Sequence, residues 1–326
     1  MEEGDVSSRS DARRTPIVVA AYLLLFLAAF IGLAPLFQVV APLHASHMDA
    51  RAKTEILSRA MVWGAITAAA ANIVMGAISD RTRSRFGRRR PWIALGAVLT
   101  VLSYVGIWRS STADQFVWAI IGFQLAFNVL MAPLSAVFAE RVPLALRSTA
   151  SALMGLSYPL AVALGSSLMA LGPQHEPGRL ALLGGVLLAA AALFLIVYDE
   201  PAATDRPQAA TSEPHAGRGG FFAPFRSRNF VVVWTCRLLI ATGYAFVSAY
   251  LLYFITDAVG WTGRTPESAH ALLTGVGFGG VVIVAGLVAL FGRRISRRQP
   301  VALVGAVLLC AATVALALTQ SWIVVV

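Results

Sequence analysis

The sequence predicts an all-α membrane protein with about nine spanning helices, and composition, apolar runs and basic loops support that prediction. Of the 326 residues, 58% are hydrophobic and 13% are charged, whereas a soluble domain carries about 25% charged residues. The apolar runs are continuous and do not alternate with polar residues, which favours helices over the strands of a membrane barrel. The expected solvent of the chain is therefore the bilayer.

The apolar runs approach the length of about 20 residues that a bilayer-crossing helix needs. We place the spans at residues 17–41, 60–79, 92–108, 115–138, 149–171, 180–198, 230–256, 269–291 and 301–318. A further apolar run starts at Ser321 and stops at Val326, which is too short to cross. We therefore expect a complete six-helix first half and a partial, C-terminally truncated second half.

The basic residues set the expected orientation. The N-terminal tail and the loops after even-numbered spans hold 19 Lys and Arg, against 6 in the loops after odd-numbered spans. The positive-inside rule then places the N-terminus and the even loops in the cytoplasm, most simply at the plasma (inner) membrane. The net charge of +10 comes from arginines between apolar runs. Their expected partner is the lipid bilayer and not nucleic acid.

One long polar stretch divides the chain. Residues 199–229 are rich in Pro, Ala, Gly and Thr, which predicts a flexible cytoplasmic linker. We therefore assign a cytoplasmic tail at 1–16, an N-terminal six-helix bundle at 17–198, the linker at 199–229 and a partial C-terminal bundle at 230–326. Two bundles joined by a linker are typical of transporters built from repeats.

The loop after the second span has the most specific pattern in the chain. It reads GAISDRTRSRFGRRRPW over residues 76–92. Gly76 is small enough to let a neighbouring helix approach closely. Asp80 lies at the membrane edge, where it can pair with arginine or with the N-terminus of another helix. Pro91 suits the first turn of the third span, where its missing N–H costs nothing.

Two stretches carry a resemblance to a known family. They comprise Gly76, Ser79, Asp80, Arg81, Arg85, Phe86, Gly87, Arg88, Arg89, Arg90 and Pro91, and then Asn128, Pro133, Glu140, Arg141, Pro143 and Arg147. The first resembles the loop 2–3 motif of the major facilitator superfamily. It has the form found in the glycoside–pentoside–hexuronide:cation symporters and the plant sucrose transporters. The second resembles the end of span 4 and loop 4–5 of the same group.

The resemblance implies that these residues form a cytoplasmic gate. The implied gating residues are Gly76, Asp80, Arg81, Arg85, Gly87, Arg88, Arg89, Arg90, Glu140, Arg141 and Arg147. They would hold the two halves together when the protein faces outward. The alternative is a topology anchor that binds lipid headgroups. The corresponding stretch of the second half, residues 286–298, has Leu290 at the acid position, so we expect an asymmetric gate.

Polar residues inside spans are candidates for function, because an unpaired polar group in hydrocarbon is costly. No Asp or Glu falls inside the spans as drawn. By resemblance, Ala68, Asn72 and Gln124 stand where relatives carry acids. The sequence therefore does not identify a coupling ion. Gln124 and Asn128 are four residues apart and share a helix face. Such amides suit a hydroxyl-rich solute, or they cross-link helices.

Arg237 is the sole charged residue inside a span, so it either reaches the surface or binds an anionic group in a cavity. Tyr158, Tyr244, Tyr250 and Tyr253 are candidates to stack on a sugar ring, although packing is the alternative. His44 and His47 fall in the first external loop, where a solvated pair is favoured over a metal or pH-sensing site. The sequence contains no motif for a metal, a cofactor or an enzymatic site.

The functional expectation is secondary transport of a small polar solute, a sugar being one candidate, by alternating access between two bundles. Co-transport of a proton or cation is a further expectation, and an enzyme is not expected. The alternative is a non-transporting membrane protein: a truncated product, a scaffold or a sensor that retains the transporter fold.

Overall fold

The computed structural model describes residues 3–200, 223–258 and 265–291, together with residues 305, 307, 308, 310, 311, 314 and 318. Within these ranges the side chains of residues 3–15, 141, 223–224, 258 and 287–291 are not described. Every regular element in the described residues is helical. The prediction of an all-α membrane protein is therefore confirmed.

Eight long helices make up the described structure. We number them α1 (Glu3–Pro35, a π-helical turn Leu36–Val40 and Ala41–Met48), α2 (Lys53–Arg81), α3 (Arg90–Arg109), α4 (Ala113–Arg141), α5 (Leu144–Leu171), α6 (Glu176–Val197), α7 (Arg228–Tyr253 with a π-helical turn Phe254–Ala258) and α8 (Pro266–Phe291). A 3-10 turn, Ala223–Arg226, precedes α7.

All eight helices are long and apolar enough to cross a membrane, and they correspond to the first eight predicted spans. The ninth predicted span, 301–318, lies mostly outside the described residues. Several helices begin earlier than predicted. For example, α2 starts at Lys53 and not at residue 60, because charged and polar side chains can continue a helix through the headgroup region. Helix α7 starts at Arg228, inside the predicted linker.

Short connections make consecutive helices antiparallel, so the bundle has two ends. The motif end carries the loop of residues 82–89 between α2 and α3. The far end carries the turns at 49–52, 110–112 and 172–175. Thr112 caps α4 at the far end, where its hydroxyl accepts a hydrogen bond from Gln115 N.

The first half packs as one unit around aromatic side chains. Helix α1 packs against α5 and α6, α4 packs against α2 and α3, and α3 also contacts α6. The largest fully buried side chains include Tyr22, Phe116, Phe123, Phe194 and Tyr198. Stacked pairs such as Phe194–Tyr198, with ring centroids 4.8 Å apart, fill the spaces between helices.

Among the described residues, a close helix approach occurs at Gly96 and not at Gly76. A Cβ added at Gly76 would meet no atom within 4 Å, whereas one at Gly96 would lie 2.6 Å from Leu130 Cα. The glycine that lets two backbones approach is therefore Gly96, where α3 crosses α4. No described residue approaches Gly76, so the close approach expected there stays a prediction.

We expect Gly96→Ala to destabilise the protein and Gly76→Ala to be tolerated. The added methyl at Gly96 would have to displace the backbone of Leu130, and overpacking of this kind costs about 1–3 kcal/mol. The measurement is the thermal unfolding midpoint in detergent, with Gly76→Ala as the matched control. An equal change in both variants would contradict the assigned contact.

The described part of the second half consists of α7 and α8. It contacts the first half mainly near the far end, through α5, the first turns of α2 and the π turn of α1. Towards the motif end α7 is exposed, and Val233, Leu239 and Phe246 are each more than 60% accessible. Among the described residues, the two halves are thus joined at one end and apart at the other.

Candidate functional site

A buried arginine organises the motif end. The Arg89 side chain is only 3% accessible. Its guanidinium donates hydrogen bonds to Ser79 Oγ at 2.7 Å and to Glu140 Oε1 at 2.6 Å, and it pairs with Asp80 at 2.8 Å. Ser79 and Asp80 end α2, and Glu140 lies near the end of α4. Arg89 therefore ties α2, α3 and α4 together.

The start of the linker closes over this loop. Glu200 Oε2 accepts hydrogen bonds from the backbone N–H groups of Arg89 at 2.9 Å and Arg90 at 3.2 Å. The Arg90 guanidinium donates to the Leu195 carbonyl oxygen at 2.8 Å. Gly87 has φ +94° and lies against Glu200, so a Cβ there would meet the carboxylate at 2.5 Å. A left-handed conformation and this close approach both require glycine.

The remaining motif arginines differ in their surroundings. Arg88 pairs with Glu140, Arg147 donates to the Ala139 carbonyl oxygen at 2.7 Å, and Arg85 lies over the Phe86 ring at 4.6 Å. Arg81 is exposed, and the side chain of Arg141 lies outside the described residues. The acids of this network, including Glu200, all belong to the first half and the start of the linker. In this structure the network therefore connects parts of the first half.

A cavity lies between the two halves. Its volume is about 310 Å³, which is the size of a small-molecule site. Its lining residues are Leu33, Ala34, Phe37, Gln38, Met61, Tyr158, Ala241, Tyr244, Ala245, Ser248 and Ala249. The structure thus brings together Tyr158 and Tyr244, which were candidates from the sequence.

Three polar side chains of this cavity form one cluster. The Tyr158 and Tyr244 hydroxyl groups and the Gln38 side chain lie close enough to interact with one another in this cavity. The two rings pack edge to face, with centroids 5.9 Å apart. Tyr158 comes from α5 in the first half and Tyr244 from α7 in the second. The cluster therefore joins the halves through groups that both donate and accept hydrogen bonds.

Gln38 was missed in the sequence because a single amide inside an apolar run forms no pattern. It lies in the π-helical turn Leu36–Val40, directly after Pro35. Proline lacks the N–H that continues the α-helical ladder, and π turns of this kind occur frequently at functional sites. On the other side of this turn, the Pro35 ring packs against Gly165 of α5. The irregular turn places an amide at the centre of the bundle.

The predicted amide group forms a second polar contact. Asn72 Nδ2 donates to Asn128 Oδ1 at 3.1 Å, and Asn128 Nδ2 donates to the Gln124 carbonyl oxygen at 2.9 Å. Asn128 is buried and Asn72 is exposed. The first of these bonds links α2 to α4, as the cross-linking alternative expects. Among the groups that line the cavity, Asn72, Gln124 and Asn128 do not occur.

Arg237 projects from an exposed position of α7. No hydrogen bond or ion pair joins it to another residue that the structure describes. The structure does not bring Arg237 to the cavity of Gln38 and the two tyrosines.

Polar contacts close the far end across the halves. Lys53 pairs with Asp257 at 2.6 Å, the Ser58 and Tyr250 hydroxyls are 2.5 Å apart, and the Tyr253 hydroxyl donates to a backbone carbonyl of α1 at 2.8 Å. These contacts involve α1 and α2 on one side and the end of α7 on the other. The far end is therefore sealed by specific hydrogen bonds and not by apolar packing alone.

A buried ion pair adds to this closure. Arg179 donates to Glu267 Oε1 at 2.7 Å, and each side chain is 7% accessible. Arg179 also donates hydrogen bonds to two oxygens of the α5–α6 turn, the Pro173 carbonyl oxygen and the Gln174 side-chain oxygen. Helix α8 begins at Pro266, ahead of the predicted start at residue 269. Glu267 lies outside the span as drawn, but it is a buried carboxylate in the first turn of α8.

His44 also differs from its prediction. It is buried inside α1, with Nδ1 2.9 Å from Glu176 Oε2 and Nε2 2.8 Å from Ser110 Oγ. The Ser110 hydroxyl donates to the Ile107 carbonyl oxygen, so both ring nitrogens face acceptors. The prediction of a solvated pair failed because α1 continues to Met48. His47 is exposed, as predicted.

These features define a membrane transport protein built from helical bundles around a central cavity. The chain belongs to the MFS/sugar transport protein family, whose model matches residues 15–326. A comparison with curated protein sequences finds no match. In the described part of the chain, no group of three or more His, Cys, Asp and Glu side chains is arranged to hold a metal ion.

A solved transporter structure has a similar fold. It is described as a bacterial homolog to the human lysosomal transporter Spinster, in an inward-facing and unoccupied conformation. It matches with a TM-score of 0.61 and 19% sequence identity over 96% of this chain and 72% of that chain. At this identity the likeness concerns the fold. It supports the major facilitator assignment made from the motif residues.

Proposed function

We propose that this protein is a secondary transporter for a small hydroxyl-rich solute, a sugar being the leading candidate, and that it works by alternating access. The observation that carries the proposal is the polar cluster of Gln38, Tyr158 and Tyr244 in the cavity between the halves. Hydroxyl and amide groups can each donate and accept, as sugar hydroxyls do. Aromatic rings beside them offer apolar faces to a sugar ring.

The distribution of contacts supports alternating access. The halves meet through ion pairs and hydrogen bonds at the far end, while α7 is exposed towards the motif end. With the positive-inside orientation, the motif end is cytoplasmic, so this conformation faces inward. In the outward-facing state we propose that the far-end contacts separate and that the motif network contacts the second half. Asp80 and the motif arginines are the proposed gating groups.

The other sequence candidates remain part of the proposal. Asn72, Gln124 and Asn128 are proposed to contact solute from the α2–α4 side, and Arg237 is proposed to bind an anionic group. Both roles need a rearrangement from the present structure. Asn72 and Asn128 already bond to each other, and Arg237 does not line the cavity.

Uptake by purified protein in liposomes tests the proposal. We expect accumulation of at least one labelled mono- or disaccharide, with a KM that Tyr158→Phe raises about tenfold, since one hydrogen bond contributes about 1.4 kcal/mol. Tyr22→Phe is the matched control, because among the described residues the one hydrogen-bond contact of that hydroxyl is the Met154 sulfur at 3.9 Å. Absence of uptake for every sugar would favour the non-transporting alternative.

A further inference from the structure

A second titratable group lies beside the Arg179–Glu267 ion pair at the closed far end. His270 is fully buried, and its Nδ1 is 3.0 Å from Ser166 Oγ of α5. Its Nε2 has no hydrogen-bond partner among the described residues. His270 follows Glu267 by three residues, so both side chains lie on the same face of α8. This face packs against the first half.

The surroundings of His270 favour the neutral ring while the end is closed. A protonated ring would bury a second cation near Arg179 and would leave its Nε2–H without an acceptor in the described structure. Glu267 is the one acid on this face, and it is already paired with Arg179. The other charged or titratable groups that pair at this end are Lys53 with Asp257 and His44 with Glu176. Ser166, the contact from α5, carries no charge.

Opening of the far end would change these surroundings. His270, Arg179 and Glu267 would all meet water, and a hydrated histidine is half protonated near a pH of about 6.5. A group that binds a proton in the open state and not in the closed state shifts the equilibrium towards the open state as pH falls. Protons on the far side would therefore favour opening.

We propose that His270 is a proton-binding site that controls opening of the far end, and that the Arg179–Glu267 pair is the lock that keeps this end closed. The inference rests on the proposed alternating access. The site and the lock have separable roles: His270 makes opening sensitive to protons, and the Arg179–Glu267 pair sets how strongly the end is closed. A proton is thus the ligand of this site, and water on the far side is its source.

The accessibility of a thiol at the closed end tests this proposal without any substrate. Cys236 and Cys310 are replaced by serine, and Ser58→Cys is introduced, because the Ser58 hydroxyl lies in the contact between the halves. The rate of maleimide labelling is measured in lipid nanodiscs. Each rate is divided by that of Ser111→Cys, an exposed position at the same end. This ratio removes the pH dependence of the thiol reaction itself.

We expect the labelling ratio to rise about tenfold between a pH of about 8 and about 5. His270→Gln, which keeps a hydrogen-bonding group for Ser166, should abolish the rise and keep labelling slow. His47→Gln, at an exposed histidine of the same end, should leave the rise intact. A pH response that persists in His270→Gln would overturn the proton site. So would the absence of a pH response in the Ser58→Cys protein that keeps His270, Arg179 and Glu267.

The lock is tested in the same assay. Glu267→Gln should raise the labelling ratio about tenfold at neutral pH, and the double variant Arg179→Glu with Glu267→Arg should restore slow labelling. Asp114→Asn is the control, since it breaks the exposed Arg59–Asp114 pair within the first half. Slow labelling in Glu267→Gln would overturn the lock. Because no solute is present, these results are independent of whether sugar uptake is observed.

Discussion

Arg89→Ala is expected to produce the largest loss of stability of any single substitution at the motif end. Its buried guanidinium contacts Ser79, Asp80 and Glu140 together. Truncation leaves Ser79 and the two acids without their shared donor, which costs about 3 kcal/mol. For a bundle of this size we expect the thermal midpoint to fall by roughly 5–10 °C. The measurement is size-exclusion chromatography after heating in detergent.

Two further variants sharpen this test. Arg81→Ala removes an exposed motif arginine and should leave the midpoint unchanged within error. Arg89→Lys keeps the charge but lacks the planar fork that reaches several acceptors at once, so we expect an intermediate loss. If Arg81→Ala were as damaging as Arg89→Ala, total loop charge and not the buried contacts would explain the effect.

Gln38→Leu is expected to abolish most uptake while the protein remains folded. Gln38 is 3% accessible and joins the two cavity tyrosines. Leucine has nearly the same volume but no polar group, so the cavity loses its central amide and a hydroxyl-rich solute loses its partner. We expect uptake efficiency, kcat/KM, to fall at least about tenfold, and the thermal midpoint to stay constant or rise.

Gln115→Leu provides the matched control. That glutamine is exposed at the far end, where its Oε1 accepts from the backbone N–H of Ser111. The substitution has the same chemistry but does not touch the cavity, and we expect wild-type uptake. Wild-type uptake in Gln38→Leu would show that the cavity cluster does not bind the transported solute.

The sequence predicted the helices well because long apolar runs report directly on burial in lipid. The first eight predicted spans match the eight described helices, with differences at their ends. Pairing of Asp80 with an arginine could also be predicted, because an acid at the membrane edge beside six arginines has few other partners, whereas pairing of Glu140 was not predicted. What the sequence could not show was that Arg89, among six arginines, occupies the buried position.

The errors have a common physical cause. His44 and Glu267 lie near helix ends, where the apolar run stops but the helix continues. A span drawn from hydrophobicity therefore excludes residues that the bundle still buries. Gln38 lies within a span, but its exposure to a cavity depends on a π turn that a periodic pattern does not register. Pairing across the halves, as in Arg179–Glu267, depends on how the two halves pack in space. These two residues are 88 positions apart in the sequence, so no local pattern links them.

The confinement of the motif network to the first half has a consequence for biosynthesis. Asp80, Glu140 and Glu200, the acids that contact Arg88, Arg89 and their neighbours, all precede residue 201. Once the ribosome has released Glu200, every partner of the arginine-rich loop among the described residues is available. Domains generally fold as units and in the order of their synthesis. The first bundle can thus be completed in the membrane while the second is still being translated, and it then presents a finished surface against which α7 and α8 assemble.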